Sequence, residues 1–441
     1  MKISYIFLLL GLSFFTANAQ QTFTIEEAVA FAKKNNVAAK NALIGIQDAE
    51  LQIQELKQTG LPQISGQFQY TYNAIVPTSV LPANSFDPSA SETDVIKVRF
   101  GVPWGGQAGI GLNQLIFDGS YLVGLRAAAT YRELAAKNKL QSDVTIAESV
   151  TKAYYSVLVA EERSKILKLN VSRLDSLIRD TKILFEEGFA EGIDVMRLEV
   201  QQNNLLTEQQ KVENLIDLSY QLLKFQMGFR LENPIELTDQ LEGSDITALR
   251  IISNEPVDYG NRIEFSLLET QRKLTELNVE RIQKSALPSV FFSGSIGANH
   301  GNPRFNPFER WFGASALTLR TTIPIYDSGI RKTQVQRERL NLIKLDYGAE
   351  QLKESFELQN SQAITNLTNG IQTLDVQQRN VDLATEVLRV SNIKYKAGVG
   401  SNIEVINAES SLKEAQTNYF AALYDVLIAK VDLDLARGNL K

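Results

Sequence analysis

Ile64-Ser65-Gly66-Gln67-Phe68-Gln69-Tyr70-Thr71-Tyr72-Asn73 alternates without a break. Ile64, Gly66, Phe68, Tyr70 and Tyr72 fall on one side, and Ser65, Gln67, Gln69, Thr71 and Asn73 on the other. A period of two sustained over this length predicts a β-strand with one apolar and one polar face. Leu61-Pro62 leads into it, and the same lead-in returns 226 residues later as Leu287-Pro288. A second alternating run follows there. Val290, Phe292, Gly294, Ile296 and Ala298 oppose Phe291, Ser293, Ser295, Gly297 and Asn299.

Working outward, the two runs belong to two copies of one plan. Phe117-Asp118-Gly119-Ser120 returns as Tyr326-Asp327-Ser328-Gly329, at an offset of 209. Glu187-Gly188-Phe189-Ala190-Glu191-Gly192-Ile193-Asp194-Val195 returns as Ala397-Gly398-Val399-Gly400-Ser401-Asn402-Ile403-Glu404-Val405, at 210. Matches in the same order along the chain mark a duplication. The offset drops by about 17 residues between the strands and the following junctions, so copy one carries the longer loop. That loop, 77–106, and its counterpart 299–310 are dense in proline and glycine, which predicts irregular backbone in both. The chain thus divides into a first repeat over 20–231, a linker over 232–258 and a second repeat over 259–441.

Each repeat reads as helix, strand, loop, strand, long helix, tight turn, long helix. The first helix, about 24–58, opens on Thr24-Ile25-Glu26-Glu27, a capping box. The partner strand near 107–117 is glycine-rich. The fourth, near 311–323, carries Trp311, Phe312, Leu317 and Leu319 in a pattern that assigns no apolar face. Proline is absent from 120–186 and 329–396. Helices of ~67 residues at ~1.5 Å each reach about 100 Å, which predicts an elongated protein. Leu367, Leu374, Val381, Leu388 and Tyr395 recur every seven residues, as do Val376, Leu383, Val390 and Ala397. Copy one places Val157, Ser164, Val171, Ile178 and Phe185 in the same way. A seven-residue seam predicts coiled-coil packing.

Composition narrows the chemistry. The chain has 441 residues, 44% of them hydrophobic and 22% charged, with net charge −6, one histidine and no cysteine. Disulfides, thiolate metal sites, cysteine nucleophiles and most histidine catalysis are excluded. The acidic balance opposes nucleic-acid binding. Lys2, the apolar run Ile6 to Phe15 and Ala17-Asn18-Ala19 predict a signal peptide over 1–19. No later apolar run reaches the length of a spanning helix. A membrane β-barrel stays open, because alternation hides the apolar face of a strand. Four strands cannot close a barrel alone, and open edges in lipid leave backbone groups unpaired. Either the strands form a soluble sheet or several chains share one barrel, and the helical seams argue for the second. Tyr70, Tyr72, Trp104, Trp311 and Phe312 lie near predicted strand ends, where such a barrel carries aromatic girdles. His300 has no metal partner in view, and Gly109-x-Gly111 belongs to a strand rather than to a phosphate loop.

At this point the chain resembles the TolC-like outer-membrane efflux family. The carrying features are Ile25-Glu26-Glu27-Ala28-Val29 with Asn35-Asn36, the two Leu-Pro lead-ins, and Leu115-Ile116-Phe117-Asp118-Gly119. Ile323-Pro324-Ile325-Tyr326-Asp327-Ser328-Gly329 and the turns Phe185-Glu186-Glu187-Gly188 and Tyr395-Lys396-Ala397-Gly398 complete them. The resemblance implies a mainly α protein with membrane β. Four strands per chain would enter a 12-stranded barrel shared by a homotrimer in outer-membrane lipid, above a periplasmic α-barrel of long helices. It implies a passive exit duct of a tripartite efflux or type I secretion system, docked on a periplasmic adaptor and an inner-membrane pump. It implies no catalytic residue, metal or cofactor. A soluble periplasmic coiled-coil scaffold and the adaptor itself are the competing readings.

The resemblance also assigns sites. In the family, a tyrosine three residues before the second turn glycine bonds an aspartate six residues after the first; these are Tyr395 and Asp194 here. The family's accompanying arginine is Gly400 in this chain, which removes the ionic half of that lock. Tyr395 also lies on the heptad seam, so a core role competes. The family's acidic pair at the tip becomes Glu404 and Asn407, giving one carboxylate ring in a trimer, against the alternative of a solvated first-turn acid. The turns Gly188-Phe189-Ala190 and Gly398-Val399-Gly400 are the expected adaptor-docking tip.

Overall fold

The computed structural model describes residues 21–241 and 257–440. The expected signal peptide over 1–19 and most of the expected linker lie outside the described residues. In chain order the elements begin with β1 (Gln21–Phe23), α1 (Ile25–Asn35), α2 (Val37–Thr59), β2 (Gln63–Tyr72), β3 (Thr78–Pro82), β4 (Val95–Arg99) and β5 (Trp104–Phe117). Next come α3 (Gly119–Glu186), α4 (Gly192–Met227), β6 (Ile235–Leu237), α5 (Ile263–Lys284), β7 (Ser289–Asn302), β8 (Trp311–Thr322), α6 (Ile330–Lys396) and α7 (Asn402–Ala436). Among the described residues no helix is long and apolar enough to cross a membrane.

The chain forms two compact units. One comprises 45–136 and 267–349 and contains a four-stranded antiparallel sheet in the order β2-β5-β7-β8. Register aligns the alternating faces across all four strands. Ile64, Leu112, Gly294 and Leu317 form one row, and Gly66, Ile110, Ile296 and Ser315 the next. Leu317 and Leu319 therefore belong to the apolar face, which settles the orientation that the sequence of β8 leaves open. Ser65, Gln67, Gln107, Asn113, Ser295 and Asn299 line a hollow on the opposite, polar face. There Gly109 stands across from Gly297, and a Cβ on Gly297 would lie 2.4 Å from the Ala108 carbonyl oxygen. Only glycine permits this close strand approach.

One row of this sheet is aromatic. Tyr70, Gly106, His300 and Trp311 are aligned, and the rings of Tyr70 and Trp311 stack on the His300 ring at 5.9 and 5.3 Å. His300 is buried, with its Nδ1 3.0 Å from the Arg310 carbonyl oxygen. Gly106 makes the row possible, since a Cβ there would meet Trp311 at 2.8 Å and Tyr70 at 3.0 Å.

Three sequence expectations need correction. The 77–106 loop is not wholly irregular: β3 and β4 pair as a hairpin, Thr78 opposite Arg99 through Pro82 opposite Val95. Pro77 precedes the hairpin, Pro82 ends its first strand, Pro88 lies in the connection and Pro103 follows it, so none stands inside the ladder. The counterpart loop starts later than 299, because β7 runs on to Asn302 along β5. The first helix is two helices. Asn36 takes an extended ψ of 142°, and its Oδ1 accepts from the Ala38 N–H at 2.7 Å. An asparagine that caps the next helix ends the previous one.

The other unit comprises the described parts of 1–44, 137–266 and 350–441. Thr24 and Glu27 form the expected capping box, with bonds of 3.2 and 3.0 Å. β1 and β6 pair in parallel. Three apolar clusters make the core. Phe23, Tyr154, Val157, Leu223 and Met227 belong to the first, Leu367, Leu374 and Val426 to the second, and Leu174, Leu198, Leu388 and Val405 to the third. The seam through Leu367, Leu374 and Leu388 is therefore core, whereas Val376, Leu383 and Val390 are exposed. A buried polar group interrupts the seams: Arg173 holds Glu409 with two bonds of 3.1 Å, and Asn170 donates to Gln416 at 2.6 Å.

Candidate functional site

The two tight turns lie in the helical unit, where α3 passes into α4 and α6 into α7. Both are built alike. Gly188 and Gly398 take φ of +84° and +75°, the left-handed region that ends a helix without a Cβ penalty. The N–H groups of Phe189 and Ala190 return to the Leu184 carbonyl at 2.7 and 3.2 Å. Those of Val399 and Gly400 return to the Lys394 carbonyl at 3.0 and 3.1 Å. Each turn thereby pushes one apolar side chain outward: Phe189 and Val399 are each 79% exposed. Gly400 is tightly surrounded, because a Cβ would lie 2.9 Å from that of Lys394 and 3.1 Å from the Tyr395 nitrogen. A larger residue at that position would require the turn to shift.

After each turn the sequence Asp194-Val195 or Glu404-Val405 divides its work. Both valines are buried in the core. The acids sit in the first helical turn, where a negative charge favours the helix N-terminus. Asp194 closes a capping box with Glu191, accepting from its N–H at 3.4 Å, and its carboxylate is 3.8 Å from Arg197. Glu404 is exposed, and its N–H is capped by the Ser401 hydroxyl at 3.3 Å; Asn407 is exposed as well.

A cleft of about 750 Å³ separates the turns, lined by Phe189, Asp194, Arg197, Tyr395, Ser401 and Asn402 among others. Tyr395 and Asp194 thus share one cleft, but the structure does not join them by the expected hydrogen bond. The Tyr395 hydroxyl donates to Thr181 Oγ1 at 3.4 Å instead. Asp194 is already committed to its own helix start. Burial pushes the Tyr395 phenol above its ordinary value, the Thr181 bond opposes this, and the Asp194 charge adds to it.

Three ties join the hairpins here, and the sequence reading assigned a tip role to only two of the residues involved, Tyr395 and Asp194. Thr181 is fully buried on the cluster of Leu174 and Ile178. Lys396 pairs with Asp180 at 2.8 Å. Asn402 donates from Nδ2 to the Asp194 main-chain carbonyl at 2.7 Å. Thr181 had a signal: it continues the spacing Val171, Leu174, Ile178 and is polar where an apolar residue belongs. Asn402 had none, since an asparagine after a serine at a helix start reads as ordinary capping.

The family model described as Outer membrane efflux protein matches residues 261–439. The outer membrane protein TolC of Vibrio cholerae is 21% identical over 364 residues, covering 81% of this chain and 80% of its own. Two solved structures share the fold. The outer membrane protein VceC of Vibrio cholerae aligns with TM-score 0.67 at 13% identity, over 94% of this chain and 96% of that one. The CmeC outer membrane channel of Campylobacter jejuni aligns with TM-score 0.69 at 16% identity, over 94% and 85%.

Proposed function

We propose that the chain belongs to the TolC-like outer-membrane efflux family and that it is the outer-membrane exit duct of a tripartite efflux or type I secretion system. It resides in the outer membrane with a periplasmic extension. One observation carries the reading: the sheet β2-β5-β7-β8 has a continuous apolar face, a polar opposite face and two edge strands with no further partner in the sheet. In lipid those edges must be paired. Three copies give twelve strands, enough to close a barrel whose polar face lines the pore. On this reading the chain is a homotrimer built from repeats 20–231 and 259–441 with an equatorial linker at 232–258.

The helical tips supply docking and gating. Phe189 and Val399, held outward by Gly188, Ala190, Gly398 and Gly400, offer the periplasmic adaptor two apolar grips, and the inner-membrane pump supplies the energy. Tyr395 and Asp194 line the cleft that must widen when the duct opens. Three Glu404 carboxylates around the pore would concentrate cations. A soluble scaffold or adaptor gives no purpose to the apolar face shared by the four strands.

The test is fractionation followed by planar-bilayer recording of purified protein. The duct reading expects recovery with the outer membrane, a trimer in detergent and discrete conductance steps. Recovery in the soluble fraction after lysis would overturn it.

A further inference from the structure

We propose that Asn402 is the latch that holds the two hairpin tips together in the resting duct, an inference that rests on the duct reading above. Of the three ties across the tips, the Asn402 bond is the short, buried one. The residue is 3% exposed, and its Nδ2 donates to the Asp194 carbonyl oxygen at 2.7 Å. The Tyr395 contact with Thr181 is long at 3.4 Å, near the outer limit of a useful hydrogen bond. The Lys396–Asp180 pair is solvent-exposed on both sides, where a single ion pair contributes little.

The acceptor is main chain, so the latch reads the position of the α4 start rather than the identity of residue 194. This frees the Asp194 carboxylate for its capping box. Asn402 and Gly400 both line the cleft between the turns. It joins the first residue of α7 to the first turn of α4, so the two turns cannot separate without breaking it.

The other half of the amide supports the same assignment. Among the described residues Asn402 Oδ1 is buried with no hydrogen-bond partner. An unpaired buried acceptor disfavours the state that buries it. An aliphatic side chain would fill this position without that cost, so the donor bond is the reason for the amide. Separation of the tips would break the donor bond and at the same time give Oδ1 to water. The closed state is therefore held, but not deeply.

The experiment records single channels of the full-length trimer in planar bilayers. Asn402→Asp keeps the shape, removes the donor and sets a carboxylate oxygen against the Asp194 carbonyl. The latch predicts a rise in the open-to-closed ratio of roughly tenfold for each protomer that loses its latch, the change expected for one lost hydrogen bond of ordinary strength. If that variant fails to assemble, Asn402→Ser, too short to span the gap, is read in the same way. The chain has no cysteine, so Asp180→Cys with Lys396→Cys places the only thiols on the two hairpins. In the Asn402→Asp background, bridging them with a cleavable bis-thiosulfonate should restore the low-conductance state, and reductant should release it. Wild-type channels with no change on Asn402→Asp would overturn the latch and leave the duct standing. A high conductance that the bridge cannot reverse would overturn it too, because the defect would then lie away from the tips. A wild type that forms no channel would overturn the duct reading and the latch with it.

Discussion

Removing one oxygen atom from Tyr154 tests how the start of the chain is fastened to the helical core. The residue is fully buried on α3. Its hydroxyl lies 2.9 Å from both the Phe23 carbonyl oxygen and Asp239 Oδ2. In Tyr154→Phe the ring stays in place, so no cavity of methyl size opens. Both acceptors also keep another donor. The Phe23 carbonyl still receives the Thr238 N–H at 3.1 Å, and Asp239 Oδ2 still receives the Ile25 N–H at 2.9 Å. The loss is one hydrogen bond to a charged group without a stranded partner, about 1.5–2 kcal/mol. At ~2–4 °C per kcal/mol, the melting midpoint in detergent, followed by far-ultraviolet circular dichroism, should fall by roughly 3–8 °C. The same bond sets a pH dependence. Burial, then the bond to Asp239, raises the phenol above its ordinary value of 10.0. A group whose folded value is raised contributes stability below pH ~10 and loses it as pH climbs further. Wild type should therefore destabilise above pH ~10, and Tyr154→Phe should do so less steeply. An unchanged midpoint would refute the reasoning, as would a fall matching that of the core truncation Leu223→Ala, for which about 2–5 kcal/mol is expected.

The remaining predictions concern backbone, buried charge and pore. Gly188→Ala meets open space and suffers only its positive φ, about 1–2 kcal/mol. In Gly228→Ala the new Cβ would also lie 2.6 Å from the Asn35 carbonyl oxygen, so its loss in thermal stability should be about 1–3 kcal/mol larger; equal losses would contradict the geometry. Arg173→Met strands the buried Glu409 carboxylate and should cost about 3 kcal/mol. Adding Glu409→Leu should recover most of that, and a double variant as unstable as the sum of the singles would discard the pairing. Glu404→Gln should weaken divalent-cation block in planar bilayers, and undiminished block would remove the carboxylate ring.

Much of the architecture was legible because it rests on local periods and local hydrogen bonds. Thr24 and Glu27 are three residues apart and form their capping box from that spacing alone. The alternation of 64–73 produced β2 at Gln63–Tyr72, and the proline-free stretches produced α3 and α6. Asn36 shows where a local reading fell short. No proline or glycine stands beside it, so the helical reading runs through it, yet its amide also reaches the Gln226 carbonyl at 2.6 Å, a partner 190 positions away. The tip follows the same rule. Phe189 and Val399 project as the turn glycines dictate, but Tyr395 meets Thr181 rather than Asp194, because the relative rotation of two helices chooses that partner.

The sequence by itself determined the strands, the long helices, the turns and the residues that gather at the tip, since each depends on spacing along one backbone. Only the tertiary structure decided which face of β8 joins the apolar side, which heptad seam is buried and which bond ties the hairpins. Those outcomes are set by register and rotation between elements far apart in the chain. A one-residue slip turns every side chain of a strand to its other face, and no periodicity within a single element contains that information.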